Sequence, residues 1–344
     1  MKKNLPILAA LLAAFTASVA SAQANQWLLV SDFENGEQEL ADKFHVEGSV
    51  DIGYPAIFAV LPDPVVEDNS VFWWDPNGHG IAWNINRIHA ALPEPIPEGA
   101  VGTLYARLYA YGLNMVMNFG MSDVPIVPAD PLTSDLFKTF NDGISIPICE
   151  EKGWSDFEAQ MEVFRSSTAF GIRDGGKVRT TDVTPPLNTW IEIWLVADNA
   201  NDQTKLFWRV EGDTEIIQAT VLGTDQGDIG YANFRNGTTD SLSVLSMGGA
   251  AGNPDSPNGA DVLFWDDISV YVGAEMLETP NFDGGGETWA GFPVRPDGWV
   301  DTGSWLGWVE VSAKPWIWID GLNSFVYMDE ATVSTGGGWA YVIR

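Results

Sequence analysis

From residue 27 onward, short runs rich in Val, Ile, Tyr, Phe and Trp alternate with clusters of Gly, Pro, Asn and Asp, and apolar residues almost never recur at helical spacing. Such runs, bounded by turn residues, predict strands. The clearest are Trp27–Phe33, Thr103–Tyr111, Met115–Met121, Phe157–Phe164, Trp190–Ala197, Lys205–Val210, Glu215–Leu222 and Val262–Val272. Many short strands with frequent turns belong to a sandwich or a barrel. Prolines in "MSDVPIVPADPLTSD" and in "GGAAGNPDSPNGAD" mark two long irregular loops.

Successive strand residues point to opposite faces. In "TLYARLYAY", Leu104, Ala106, Leu108 and Ala110 share one side, and Tyr105, Arg107, Tyr109 and Tyr111 share the other. In "WIEIWLVA", Ile191, Ile193 and Leu195 face together, opposite Trp190, Glu192 and Trp194. Each strand thus has one aliphatic, core-forming side and one side that mixes rings with charge. Sugars present flat C–H faces to aromatic rings and hydroxyls to charged or amide partners. Tyr105, Arg107, Tyr109, Trp190, Glu192 and Trp194 are therefore the candidate carbohydrate-binding strip. The same pattern also fits an ordinary half-buried sheet face.

Residues 278–292, "ETPNFDGGGETWAGF", combine three consecutive glycines with few apolar residues and read as a linker. Beyond them the composition shifts: residues 289–344 hold seven of the sixteen tryptophans. Four strand-like pieces follow, Trp308–Ser312, Trp316–Asp320, Ser324–Asp329 and Trp339–Ile343. In "KPWIWIDGLNSFVYMDE", Trp316 and Trp318 fall on one face, and Ile317 and Ile319 on the other. A module of about 55 residues needs large side chains to bury enough surface. Its rings are expected to be core first, with surface attachment a secondary role. The chain accordingly divides into a leader at 1–22, a sandwich at 25–274, a linker at 275–289 and a Trp-rich β-module at 290–344.

The leader rests on Lys2 and Lys3, an apolar run from Leu5 to Ala17, and Ala20-Ser21-Ala22 as a cleavage pattern. That run is shorter than the roughly 20 residues a membrane span needs. Export to the periplasm, the cell surface or the medium is expected, without membrane insertion. The formal net charge of −30 disfavours nucleic acid and anionic lipid as partners. Cys149 is the single cysteine, so no intramolecular disulfide supports the fold, and its place in "ISIPICEEK" is that of a small buried hydrophobe.

"WLLVSDFENG" near the start and "VLFWDDISVYVG" before the linker resemble the paired end pieces of β-sandwich sugar-binding modules and concanavalin A-like (laminin G-like) domains. "FGIRDGGKV" and "NTWIEIWLVADNANDQTKLFWRVEG" resemble their middle hairpins. The resemblance spans residues 27–273 and is one of style rather than of an invariant motif. It implies an all-β, concanavalin A-like or jelly-roll sandwich that binds polysaccharide or a cell-surface glycan. The tail is similar to Trp/Tyr-rich segments that end exported proteins of aquatic bacteria, which implies an accessory or attachment module. Where first and last strands pair, as in the resembling modules, Asp32 and Glu34 meet Asp266 or Asp267, and these carboxylates can hold a structural calcium ion.

"EGDTE" matches the E-x-D-x-E arrangement of the laminarinase-type retaining glycosidases, which would make Glu211, Asp213 and Glu215 catalytic. That chemistry needs three carboxylates alternating along one strand, and Gly212-Asp213 is itself a turn signal. The reading reached is a secreted, non-catalytic carbohydrate-binding protein with an accessory module. The alternatives are a glycosidase or polysaccharide lyase on the same fold, and a structural surface protein serving adhesion. The oligomeric state is not set by these features.

Overall fold

The computed structural model describes residues 27–47, 58–66, 69–74, 86–111, 116–129, 137–139, 145–150, 152, 156–163, 169–250, 263–280, 288–289, 292–293, 298–301, 306–314, 316–322, 324–328 and 340–341. The expected leader at 1–22 lies outside these residues. The chain separates into two compact units, one ending at Thr279 and one starting at Pro280.

In the first unit the elements run β1 (Leu28–Ser31), α1 (Glu37–Lys43), β2 (Phe44–Glu47), β3 (Phe58–Pro62), β4 (Ser70–Trp74), β5 (Asn86–Ile96), β6 (Val101–Ala110) and β7 (Val116–Ser122). They continue with β8 (Phe137–Thr139), β9 (Ser145–Cys149), β10 (Ala159–Val163), β11 (Phe170–Asp174), β12 (Lys177–Thr180), β13 (Trp190–Asp198) and β14 (Gln203–Val210). The last are β15 (Ile217–Gln218), β16 (Val221–Thr224), β17 (Gly227–Ile229), β18 (Ala232–Asn233), β19 (Leu242–Ala250) and β20 (Leu263–Val272). One sheet has the order β15-β14-β13-β6-β20-β4-β3, with β1 also on β20 and β18 on β14. The other has the order β12-β11-β10-β7-β19-β5-β2-β9-β8. The result is a nearly all-β sandwich, in which two nine-stranded sheets share one buried core.

The alternation read from the sequence decides which sides meet. Leu104, Ala106 and Leu108 of β6 and Ile191, Ile193 and Leu195 of β13 are buried in one core with Met117, Phe119 and Met121 of β7 and Met161 and Val163 of β10. Trp265 of β20 stacks on Phe119 with ring centroids 4.6 Å apart. The chain ends close the fold as expected: β1 lies antiparallel on β20, with Ser31 opposite Ile268. Cys149 is fully buried at the end of β9, and burial pushes its thiol up to about 11, so it is inert packing.

Two central strands were not evident from the pattern. β5, "NRIHAALPEPI", carries Pro93 and Pro95, which argue against a strand. Its pairing with β19 shifts register between Leu242 and Val244, so the prolines fall at an irregularity and not in the regular ladder. β19 is weakened as a signal by its two glycines, Gly248 and Gly249.

The second unit is a five-stranded antiparallel sheet in sequence order: β23 (Trp299–Asp301), β24 (Trp308–Glu310), β25 (Trp316–Ile319), β26 (Ser324–Met328) and β27 (Ala340–Tyr341). The short pair β21 (Thr288–Trp289) and β22 (Phe292–Pro293) precedes it. Its core is Trp289, Val300, Val309, Val311, Ile317, Ile319, Val326 and Met328. The expectation that the rings form the core is thus corrected. Trp289 does, but the strand aliphatics fill the rest, and the strand rings take the opposite face.

Candidate functional site

The register between β6 and β13 sets Trp190 opposite Tyr109, Glu192 opposite Arg107 and Trp194 opposite Tyr105. The six residues of the predicted strip are therefore neighbours on the sheet face that points away from the core. They do not form an open platform, because the chain covers them. Trp194 is 0 % exposed, Tyr105 1 %, Trp190 and Glu192 3 % and Tyr109 6 %.

Two elements cover the Tyr105–Trp194 end of the strip. Trp27 packs edge-on to Tyr105 at 5.9 Å and to Tyr271 at 5.6 Å. The segment 274–279, leaving β20, crosses the strip. The Met276 amide donates to Thr103 Oγ1 at 2.9 Å, Trp194 Nε1 donates to the Glu278 carbonyl at 3.2 Å, and the Thr279 hydroxyl donates to Glu192. Glu192 also accepts from Tyr105 at 2.9 Å and from Arg209, and these hydrogen bonds outweigh its burial and hold its carboxyl below the ordinary range. At the other end, Arg107 lies over the Trp190 ring at 4.5 Å and pairs with Glu211 at 2.8 Å and Asp266 at 2.9 Å. Burial and the adjacent Asp267 carboxylate push the Asp266 carboxyl up to about 8.

Glu211, Asp213 and Glu215 do not alternate along one strand. The Asp213 amide bonds the Val210 carbonyl, Gly212 has a φ of 87°, and all three carboxylates are exposed in the turn after β14. The arrangement offers no pair facing across a scissile bond. Nor do the expected calcium ligands converge. Glu34 accepts from the Ser70 amide at 3.1 Å, and Asp267 lies 3.4 Å from Arg107. Among the described residues no group of three or more His, Cys, Asp or Glu is placed to hold a metal ion.

The second sheet carries a polar row that the sequence reading passed over. On β10, Ala159, Met161 and Val163 enter the core, which sends Glu158, Gln160 and Glu162 to the other face. The ladder continues from Gln160 through Gly120 and Ser246 to His89. Gln160 donates to Asn118, Glu162 accepts from Arg173 at 2.6 Å, and Glu158 accepts from the Asn236 amide at 2.9 Å. Burial raises both carboxyls above their ordinary values. His89 pairs with Ser246 at 2.8 Å, and burial, reinforced by Lys152 and Arg87, pushes its imidazole well below the ordinary histidine range. The strict polar–apolar alternation in "EAQMEV" was the available signal.

In the C-terminal sheet the outward face is aromatic and open. Trp318 is opposite Phe325 with centroids 5.1 Å apart, and Trp316 is opposite Tyr327 at 5.4 Å. Glu310 lies opposite both Trp299 and Trp318 on the neighbouring strands, and Trp308 precedes it by two on the same face. Trp308, Trp316 and Phe325 are 40, 38 and 49 % exposed, and Trp299, Trp318 and Tyr327 are partly exposed.

No protein-family model matches the chain, and no curated protein does. Among solved structures it is similar to the catalytic domain of a glycoside hydrolase family 131 protein from Coprinopsis cinerea, at 11 % identity over 76 % of this chain and 100 % of that one, with a TM-score of 0.41. It is similar to a family 131 β-glucanase catalytic domain from Podospora anserina at 10 % identity, covering 65 and 81 % of the two chains, TM-score 0.34. It is also similar to basic winged bean lectin at 13 % identity, covering 73 and 96 %, TM-score 0.34.

Proposed function

We propose that the protein is exported and binds carbohydrate without transforming it, and that the outward face of the C-terminal sheet is its glycan-contacting surface. The observation that carries this is the exposure of Trp308, Trp316 and Phe325 on one face of a sheet whose described core residues do not include them. Large rings left in water form a patch that marks an interaction surface. Paired strands hold such rings about 4.8 Å apart, and alternate residues on one strand about 6.8 Å apart. A sheet of rings at those spacings offers a glycan chain several pyranose stacking positions. Glu310 between the rings supplies an acceptor for hydroxyls. With a net charge of −30 the chain repels anionic polymers, so the fitting partner is a neutral polysaccharide. Retention of the mature protein on insoluble neutral polysaccharides tests this. The Trp308→Ala/Trp316→Ala variant is expected to lose retention while melting like the parent, and unchanged retention would refute the proposal.

One observation favours a second reading, a glycosidase. Glu158, just before β10, shares one face with Gln160 and Glu162 on it, and burial raises both glutamate carboxyls, the direction a general acid needs. Release of reducing sugar that disappears in Glu162→Gln would put this reading first.

A further inference from the structure

We propose that the cleft between two hairpin turns at the edge of the sandwich is a separate binding site for a small, neutral, polyhydroxylated ligand such as a single sugar unit. One turn, Asp174–Lys177, joins β11 to β12, and the other, Thr224–Gly227, joins β16 to β17. Asn233 of β18 closes the cleft, whose volume is about 300 Å³. That is at the lower end of the ~300–1,000 Å³ range of small-molecule sites. The proposal does not depend on the aromatic face of the second unit.

The walls are fixed before any ligand arrives. Arg179 ties the turns together: its Nε is 3.3 Å from Asp174, Nη1 donates to the Gly223 carbonyl at 2.6 Å, and Nη2 is 3.3 Å from Asp225. Asn233 donates to Asp174 from its backbone at 3.2 Å and from its side chain at 2.8 Å, and the Gly175 amide donates back to the Asn233 carbonyl at 3.2 Å. These bonds hold the Asp174 carboxyl below its ordinary range despite burial.

Charge and polarity select the ligand class. Asp174 and Asp225 face Arg179 and Lys177, with Lys177 Nζ 3.7 Å from Asp225, so the charges lining the cleft balance. The lining therefore carries no net charge of its own. What remains are groups suited to hydroxyls. The Gln226 side-chain oxygen accepts from Tyr231 at 2.8 Å, which leaves its NH2 as a donor. The Asn233 amide nitrogen is used by Asp174, which leaves its oxygen as an acceptor. Ile229 is the apolar member of the lining.

Gly176 supplies an independent sign. Gly175 needs glycine because its φ is +58°. Gly176 lies outside the left-handed region, and a Cβ there would meet nothing within 4 Å. Neither backbone strain nor packing requires glycine at that position. The absent side chain keeps the rim of the cleft clear.

The test uses the mature protein and saturation-transfer NMR with glucose, galactose and mannose, and with glucuronate as the charged counterpart. Saturable binding of a neutral hexose is expected. Gly176→Trp, which fills the rim, should weaken it roughly tenfold or more at an unchanged melting temperature. Gln226→Ala, at an exposed position, should also weaken it. Retention on insoluble polysaccharide should be the same in both variants, which separates this site from the aromatic face. No saturable binding of any neutral hexose, equal binding by Gly176→Trp, or binding of glucuronate alone would each overturn the proposal.

Discussion

The molecule has two sheet faces built from rings and carboxylates, and they have opposite fates. On β6 and β13, Tyr105 and Trp194 are buried under the chain's own Trp27 and the 274–279 segment, and Tyr109 and Trp190 are buried with Val71 and Phe264. On the C-terminal sheet, Trp308, Trp316 and Phe325 remain more than a third exposed. The alternation is the same in both, so alternation does not determine function. What differs is whether the chain supplies a cover. A covered strip must satisfy its buried carboxylate from within, and it does: Glu192 takes hydrogen bonds from Tyr105, Arg209 and Thr279. Such a network orders the fold and leaves no place for a sugar. The open face has its aliphatic residues beneath it and its rings in water, which is the arrangement of a contact surface.

Substitutions should separate the two faces sharply. Trp194→Ala removes a fully buried ring and the bond to Glu278, and should cost about 3–5 kcal/mol in denaturant unfolding. Glu192→Ala strips the acceptor shared by Tyr105, Arg209 and Thr279, and should cost about 1–3 kcal/mol by the same measurement. An equal loss from Trp316→Ala would erase the distinction between the faces.

The covered strip should also respond to pH. Asp266 has its pKa raised from 3.8 to about 8, so between those values the folded state holds a proton that the unfolded chain has released. Stability contributed by this group is therefore present at low pH and declines as pH rises toward 8. Melting temperatures taken from pH 5 to 9 should fall and then level off, and Asp266→Asn should flatten the decline. The opposite slope in that window, unaltered by the substitution, would contradict the assignment. The smallest effect on stability is expected from Trp316→Ala, within about 0.5 kcal/mol, because its ring is not part of the core.

Much of the fold was legible. The aliphatic sides of β6 and β13 were placed correctly by parity, and "VLFWDDISVYVG" does pair with the opening strand. The cover was not legible, because the contact of Thr279 with Glu192 joins residues 87 apart and has no local signature. β5 was hidden by prolines that sit at a break in its ladder. In the tail the pattern separated Trp316 from Ile317 correctly, but volume alone assigned the rings to the core. Aliphatic residues of β23 to β26, with Trp289, make up the described core. Of the polar row, Glu158, Gln160 and Glu162 needed only the parity argument that had been used on β6 and β13.

The most direct test is a binding isotherm on an insoluble neutral polysaccharide for the parent, the Trp308→Ala/Trp316→Ala/Phe325→Ala variant, and Trp194→Phe below its melting temperature. Loss of binding in the triple variant, with parent-like binding by Trp194→Phe, is the predicted result. Full binding by the triple variant together with loss in Trp194→Phe would contradict the account and return the site to the sandwich.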